Sequence, residues 1–265
     1  MLGSVEENQF YCMDNLELLS QIPDNSIDLI YCDILYGTGK KFNDFDDIKA
    51  NKAVVDTFYK QRILEMRRVL KPTGSIYLQM DTRINHWMRL LMDDAFGYGN
   101  FRNEIVWWYK RWSKAGKYYQ KMHDVILFYT KTDDYTFNPQ MQSYSKEAAI
   151  ETTVRVKIDG KLQRLKDENG NYVQREGENK GVARHDVWDI RHIQPTSKER
   201  VNYDTQKPLE LMELIIKASS NENDIVADFF CGSGSCLVSA KSLNRKYIGC
   251  DINSNAISKA KNRIK

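Results

Sequence analysis

The chain predicts an α/β fold, a mostly parallel, twisted sheet with helices on both faces and a small inserted region. Three observations carry this expectation. Short apolar runs that suit buried strands alternate with stretches of helical periodicity, the pattern of parallel strands joined by crossover helices. Asp14, Asp33, Asp81, Asp228 and Asp251 each fall near the carboxyl end of such a run, where ligands gather in sheets of this kind. A glycine turn, Asp228-Phe229-Phe230-Cys231-Gly232-Ser233-Gly234-Ser235, stands between an apolar run and a helix-like stretch.

The elements follow in order. Phe10-Tyr11-Cys12 is a short strand, and Asp14 precedes the helix-like Asn15 to Leu19. Ser26 to Cys32 reads as a buried strand running into Asp33-Ile34-Leu35-Tyr36-Gly37-Thr38-Gly39. Tyr59, Ile63, Met66 and Leu70 recur at helical spacing, and Pro72-Thr73-Gly74 is expected to stop that helix. Ser75 to Gln79 is another buried strand, and Ile84, Trp87, Leu91 and Ala95 mark one face of the next helix. Glu104 to Tyr109 and Asp124 to Tyr129 read as strands joined by a basic loop. A helix runs from Pro208 to about Ala218, with proline suited to its first turn. Ile225-Val226-Ala227 and Lys246 to Cys250 are the last strands, followed by a final helix.

Composition bounds the function. A chain of 265 residues accommodates one α/β domain with an insertion. With 42% hydrophobic and 28% charged residues it is globular rather than disordered. No apolar run approaches a membrane span and the N-terminus lacks a signal-peptide layout, so a cytoplasmic location without membrane contact is expected. Five cysteines without framework spacing point to reduced thiols. Cys231 and Cys250 read as small buried hydrophobes. The four histidines have no metal-ligand spacing with each other or with cysteine, so no metal site is expected. A net charge of +3 does not announce a nucleic-acid binder, so any basic footprint must be local.

The glycine turn brings backbone N–H groups against a nucleotide-like cofactor. Asp251 follows Gly232 by about 20 residues, where an acidic side chain grips a ribose hydroxyl. Such a fingerprint normally sits near an N-terminus. Here it comes last, so the other half of the site precedes it. Asp33 and Tyr36 supply that half: an acid and an aromatic three residues apart, at a strand end with glycines behind them, suit a planar amine.

At these residues the chain resembles the β-group of S-adenosyl-L-methionine-dependent amino-DNA methyltransferases, whose catalytic motif is Asp-Pro-Pro-Tyr. Tyr203-Asp204-Thr205-Gln206-Lys207-Pro208-Leu209 resembles the family's Tyr-Pro-Thr-Gln-Lys-Pro-Leu, and Asp228 to Ser235 resembles Asp-Pro-Phe-Cys-Gly-Ser-Gly-Thr. The motif order, catalytic first, then a variable recognition segment, then cofactor, is also the family's. The resemblance implies a circularly permuted Rossmann-like methyltransferase fold. It implies a catalytic and cofactor domain of residues 1–137 and 201–265 and a target-recognition insertion of 138–200.

The implied reaction is methylation of the exocyclic N6 amine of a flipped-out adenine in double-stranded DNA. Asp33 and the Ile34 carbonyl would accept hydrogen bonds from the amine, Leu35 would complete the motif and Tyr36 would stack on the base. The cofactor would lie among Asp14, Asp33, Lys207, Asp228, Phe230, Cys231, Gly232, Ser233, Gly234 and Asp251, with Lys207 open to the plainer reading of a solvated lysine at a helix start. Ile34-Leu35 replaces the family's Pro-Pro, which fixes the backbone; a slower enzyme or one with altered base choice is expected, and restoring both prolines is expected to raise turnover. Asp rather than Ser at position 33 tilts the resemblance toward adenine N6 over cytosine N4.

Two segments are candidates for DNA contact. In the basic loop, Lys110, Arg111, Lys114, Lys117 and Lys121 carry no acid among them and are interleaved with aromatics, so they suit phosphates and exposed bases. Trp107 and Tyr109 alternate with Trp108 on a strand, so one of the two faces should be buried. In the insertion, Val154 to Ile158 meets Asp159-Gly160, a strong hairpin turn, and a return strand from Lys161, which presents Arg155, Lys157 and Arg164. A second turn at Asn169-Gly170 follows. A nicotinamide or flavin enzyme is disfavoured, because the turn lacks a third glycine and Asp33 and Tyr36 would be idle. An RNA methyltransferase, a cytosine-N4 enzyme and a catalytically weak DNA-binding subunit stay open. So do a homodimer and a separate restriction endonuclease, since no endonuclease pattern is evident.

Overall fold

The sheet is laid out from β2 (Ile27–Asp33), whose side chains alternate between two apolar cores. Leu29 and Tyr31 enter one core, and Ile30 and Cys32 enter the other. This is the double-sided burial expected of a central parallel strand. The structure is a computed structural model that describes residues 2–41, 47–110, 116–143, 153–173, 181–203 and 205–264.

Beside β2 lie β3 (Leu70–Met80) on one side and β11 (Ile225–Asp228) on the other. The remaining strands of the main sheet are β1 (Gln9–Cys12), β4 (Phe101–Trp108), β5 (His123–Thr130), β10 (Val187–Asp189) and β12 (Lys246–Asp251). Their order is β1-β12-β11-β2-β3-β5-β4-β10. Among these eight, only β5 runs against the others.

Helices cover both faces. α1 (Asn15–Gln21), α2 (Lys52–Val69) and α3 (Asn85–Phe96) bury Leu18, Ile63, Met66 and Met92 against one face. α4 (Leu209–Ser219), α5 (Ser235–Ser242) and α6 (Ser254–Arg263) bury Leu211, Ile215, Leu237 and Ala260 against the other. Local chemistry starts these helices. Asp14 caps α1 by accepting the Leu16 N–H, Asn51 caps α2 and Asn253 caps α6. α2 ends at Val69, earlier than Pro72 would require, and β3 begins at once. The stretch around Pro72 is accommodated by a register shift opposite Ile27 and Leu29.

The insertion expected over 138–200 is shorter. The chain divides into a unit of residues 1–138 and 186–265 and a second unit of 139–185. Residues 187–189 belong to the main sheet, because Val187–Asp189 pairs with Val106–Trp108 and the Trp107 indole N–H donates to the Ile190 carbonyl at 2.9 Å. A three-residue edge strand is too short to show periodicity, which is why the sequence hid it.

Within the second unit, β6 (Met141–Gln142) pairs with β9 (Val182–Ala183), and β7 (Arg155–Ile158) pairs with β8 (Lys161–Arg164). Asp159 (φ 49°) and Gly160 (φ 79°) both take the left-handed conformation that a two-residue hairpin turn demands. Asn169-Gly170 makes the second expected turn, with Asp167 accepting the N–H groups of Asn169 and Asn171 and Lys166 bridging to Tyr172. No helix among the described residues is long and apolar enough to cross a membrane.

Candidate active site

The cleft arises from topology. From β2 the chain winds outward to β3, and from β11 it winds the opposite way to β12. The two strands are nevertheless adjacent and parallel, with Val226 beside Leu29 and Ala227 beside Ile30. The divergence opens a crevice beyond their carboxyl ends. Asp33, Tyr36, Lys207, Asp228, Gly232 and Asp251 all line it, together with Asp14, Phe230, Cys231 and Ser233. Thus the first and last parts of the chain share one site, as the motif order required.

The glycine turn is built for close approach. Gly232 (φ 47°) and Gly234 (φ 76°) are left-handed, and a Cβ on Gly232 would stand 3.1 Å from the Tyr203 ring. The Gly232 N–H donates to Asp251 Oδ2 at 2.9 Å, and Asp251 Oδ1 accepts the Asn253 N–H at 2.9 Å. One carboxylate therefore joins the turn after β11 to the end of β12. Asp228 is 3% exposed, and burial pushes its carboxyl well above the usual range, although the Phe230 N–H donates to it. Asp14 is held by Arg62, whose guanidinium also donates to Asn15 and to the Phe58 carbonyl. Asn15 in turn donates to the Phe229 carbonyl at 3.0 Å. Cys231, Cys236 and Cys250 are buried and their thiols are pushed up by burial, as expected of inert packing residues.

At the opposite wall, the Tyr36 hydroxyl lies 2.8 Å from Asp33 Oδ1. Burial raises the Asp33 carboxyl, and the Lys207 ammonium opposes that rise. Lys207 is 8% exposed, contacts Asp33 Oδ2 directly, donates to the Thr205 carbonyl at 3.1 Å and sits 5.5 Å from the Tyr36 ring centroid. The solvated-lysine reading is therefore replaced by a buried ion pair joining residues 174 apart in sequence. Ile34 donates its N–H to the Gln79 carbonyl at 3.1 Å, and the Leu35 carbonyl accepts from the Tyr59 hydroxyl at 3.2 Å. Asp47 accepts from the N–H groups of Gly37 and Thr38. Hydrogen bonds here restrain a segment that Pro-Pro would restrain covalently.

Sequence reasoning missed Asp124, Gln79, Tyr31 and Tyr109. Asp124 is 4% exposed; its Oδ2 lies 2.8 Å from the Tyr36 hydroxyl and accepts from Gln79 Nε2 at 3.0 Å, and its Oδ1 accepts from the Tyr109 hydroxyl at 3.0 Å. Asp124 is the second residue of its strand, and only the reversal of β5 brings a strand start to the carboxyl edge of the others.

Among the basic candidates, Lys110, Lys117, Lys121, Arg155, Lys157 and Arg164 are exposed, and Arg111 and Lys114 lie outside the described residues. The alternation buries one face, and that face is the one with Trp107 and Tyr109, while Trp108 is 39% exposed. In the hairpin Arg155 stands opposite Arg164 and Lys157 opposite Leu162, which gathers the three cations on one face. No cluster of potential metal ligands occurs among the described residues.

The group implied by the resemblance fits this cleft. A ribose diol matches the Asp251 carboxylate, left-handed glycines admit a backbone approach, and the half-buried Phe230 ring and the Asp33 carboxylate suit a sulfonium.

Comparison with known proteins agrees. The pattern defining the N6/N4 "DNA methylase" family matches residues 27–262. Type II methyltransferase M.HpaI of Haemophilus parainfluenzae is 33% identical over 97% of this chain and 74% of its own length. DNA adenine methyltransferase YhdJ of Escherichia coli K12 is 33% identical over 95% of this chain and 80% of its own. The solved structure of the PvuII cytosine-N4-specific DNA methyltransferase shares the fold, with a TM-score of 0.68, 14% identity and coverage of 98% of this chain and 87% of that one. The chain thus belongs to the N6/N4 family of DNA methylases, whose methyl donor is S-adenosyl-L-methionine.

Proposed function

We propose that the chain methylates the N6 amine of an adenine flipped out of double-stranded DNA, at a specific site, as the modification half of a restriction-modification pair. The observation that carries this reading is the single cleft in which Asp33 and Tyr36 face the glycine turn and Asp251. The aspartate at position 33 and the likeness to a protein named as a DNA adenine methyltransferase favour adenine. The likeness to M.HpaI, named as a type II methyltransferase, favours a partner endonuclease encoded as a separate chain.

The exocyclic amine is a poor nucleophile because its lone pair is delocalised into the ring. Asp33 and the Ile34 carbonyl accept its two hydrogens and favour a pyramidal nitrogen, while Tyr36 stacks on the base. Lys207 keeps Asp33 able to accept despite its burial. Bound S-adenosyl-L-methionine supplies an electrophilic methyl on sulfonium. Asp251 would hold the ribose, Asp14 would serve the adenine end, and the Gly232 and Ser233 backbone would offer N–H groups to the cofactor, with Cys231, Phe230 and Asp228 lining the cleft and Gly234, packed against Ala260 and Phe10, shaping the turn from behind. Alignment of amine and methyl supplies much of the rate. Lys110, Arg111, Lys114, Lys117 and Lys121 would neutralise DNA phosphates, as would Arg155, Lys157 and Arg164 of the hairpin.

The test is nucleoside mass spectrometry on unmethylated genomic DNA incubated with the protein and S-adenosyl-L-methionine, beside Asp33→Ala. N6-methyladenine is expected, falling by more than about 100-fold in the variant. N4-methylcytosine would reverse the base assignment. No methylated base with cofactor binding intact would overturn the reading.

A further inference from the structure

The Tyr36 hydroxyl joins three other side chains. It lies 2.8 Å from Asp33 Oδ1, 2.8 Å from Asp124 Oδ2 and 3.1 Å from Gln79 Nε2. Gln79 is fixed in orientation, because its Oε1 accepts from the Tyr31 hydroxyl at 2.7 Å and its Nε2 then faces both Tyr36 and Asp124. A neutral phenol has one proton, and burial beside two carboxylates keeps it neutral. It can therefore donate to Asp33 or to Asp124, but not to both. The carboxyl that is refused faces the phenol oxygen without that proton and is left to its other donors, Lys207 for Asp33, Gln79 and Tyr109 for Asp124.

We propose that Asp124 is a positioning residue that competes with Asp33 for the single Tyr36 proton, and so ties the placement of the Tyr36 ring to the charge on Asp33. This rests on the reading of Asp33 as the acceptor of the substrate amine. Asp124 itself does not line the cleft. When Tyr36 donates to Asp33, the Asp33 anion is stabilised and ready to accept from the amine. When Tyr36 donates to Asp124, Asp33 is favoured in its protonated form, which cannot accept through the protonated oxygen. The charged and titratable groups facing the junction are Lys207, Asp228, Tyr31, Tyr109 and Cys236, with His192 against Tyr109. Lys207 and Asp124 therefore act on Asp33 in opposite directions.

The test is Asp124→Asn. A neutral amide is a weaker acceptor than a carboxylate, so the Tyr36 proton passes to Asp33. The acid limb of the single-turnover rate is expected to move to lower pH by about half a unit or more, while the plateau rate falls about tenfold as Tyr36 loses its second anchor. The dissociation constant for S-adenosyl-L-methionine should stay within about twofold. Carboxyl 13C NMR of labelled aspartate, with Asp33 assigned by an Asp33→Asn variant, should show the Asp33 midpoint falling in Asp124→Asn. The same substitution in a Tyr36→Phe background should move it less, because only the removed Asp124 charge then acts on Asp33. An unmoved midpoint and acid limb would overturn the proposal. So would a shift that persists undiminished without the Tyr36 hydroxyl, or a rate loss matched by loss of melting temperature and cofactor affinity. The NMR readout needs no turnover, whereas an Asp33→Ala enzyme with undiminished activity would sink the functional reading instead.

Discussion

Asp228 and Asp251 share one turn yet should respond to substitution in opposite ways. Asp228 is buried and its carboxyl is raised mainly by that burial, with the charges of Asp33 and Asp251 adding to it. A carboxyl raised on folding keeps its proton across a pH window in which the unfolded chain has lost it. Stability therefore falls as pH climbs from the ordinary carboxylate range through the raised value. Asp228→Asn removes this burden: its melting temperature should exceed that of the wild type at about pH 7.5, and the gap should close toward about pH 4, read by calorimetric melts. Asp251 instead joins Gly232 to Asn253 and faces the cleft. Asp251→Asn should weaken S-adenosyl-L-methionine binding about tenfold to a hundredfold in titration calorimetry, consistent with the ~1.5–3 kcal/mol of hydrogen bonds to a charged group. Both residues were legible as the flanks of a strand-turn-helix-strand unit. Asp124 was not, because nothing in its local pattern distinguishes a buried acceptor from an ordinary polar strand start.

At the level of elements, the departure from Pro-Pro looks different in three dimensions than in sequence. The Ile34 N–H extends the β2–β3 pairing by one step through the Gln79 carbonyl. Restoring both prolines, expected from the sequence to raise turnover, would delete that donor and leave the Gln79 carbonyl short of a partner. The Ile34→Pro, Leu35→Pro double variant should therefore lose about 0.5–1.5 kcal/mol in a denaturant titration and gain no turnover. A stability rise with faster methylation would show that backbone entropy, not this hydrogen bond, dominates the segment. The strands and helices themselves were readable because each is amphipathic or doubly buried at its own period. β10 escaped because its three residues are placed by Trp107 and Ile190, not by a pattern of their own.

For the molecule as a whole, the second unit carries a hairpin with two arginines directly opposite each other and a lysine on the same face. Like charges so placed cost stability in the free protein and suit a polyanion. Replacing Arg155, Lys157 and Arg164 by Gln should weaken DNA binding. It should also shallow the dependence of log K on log salt by about 0.9 for each phosphate that is no longer neutralised, measured by fluorescence anisotropy across a salt series. An unchanged slope would remove the hairpin from the DNA interface. S-adenosyl-L-methionine affinity should not change.

By itself the sequence determined the class of fold, the motif order, the acid and aromatic at the end of β2 and the glycine turn before α5. These are local: each depends on spacing within a strand, a turn or one helical period. Only the tertiary structure decided that Lys207 is buried against Asp33, that Asp124 reaches Tyr36, and that residues 187–189 join the main sheet. These depend on strand order, on the reversal of β5 and on the register of an edge strand. Such features come from long-range packing, because a side chain's partners across a sheet are chosen by which strands lie together rather than by its neighbours in the chain.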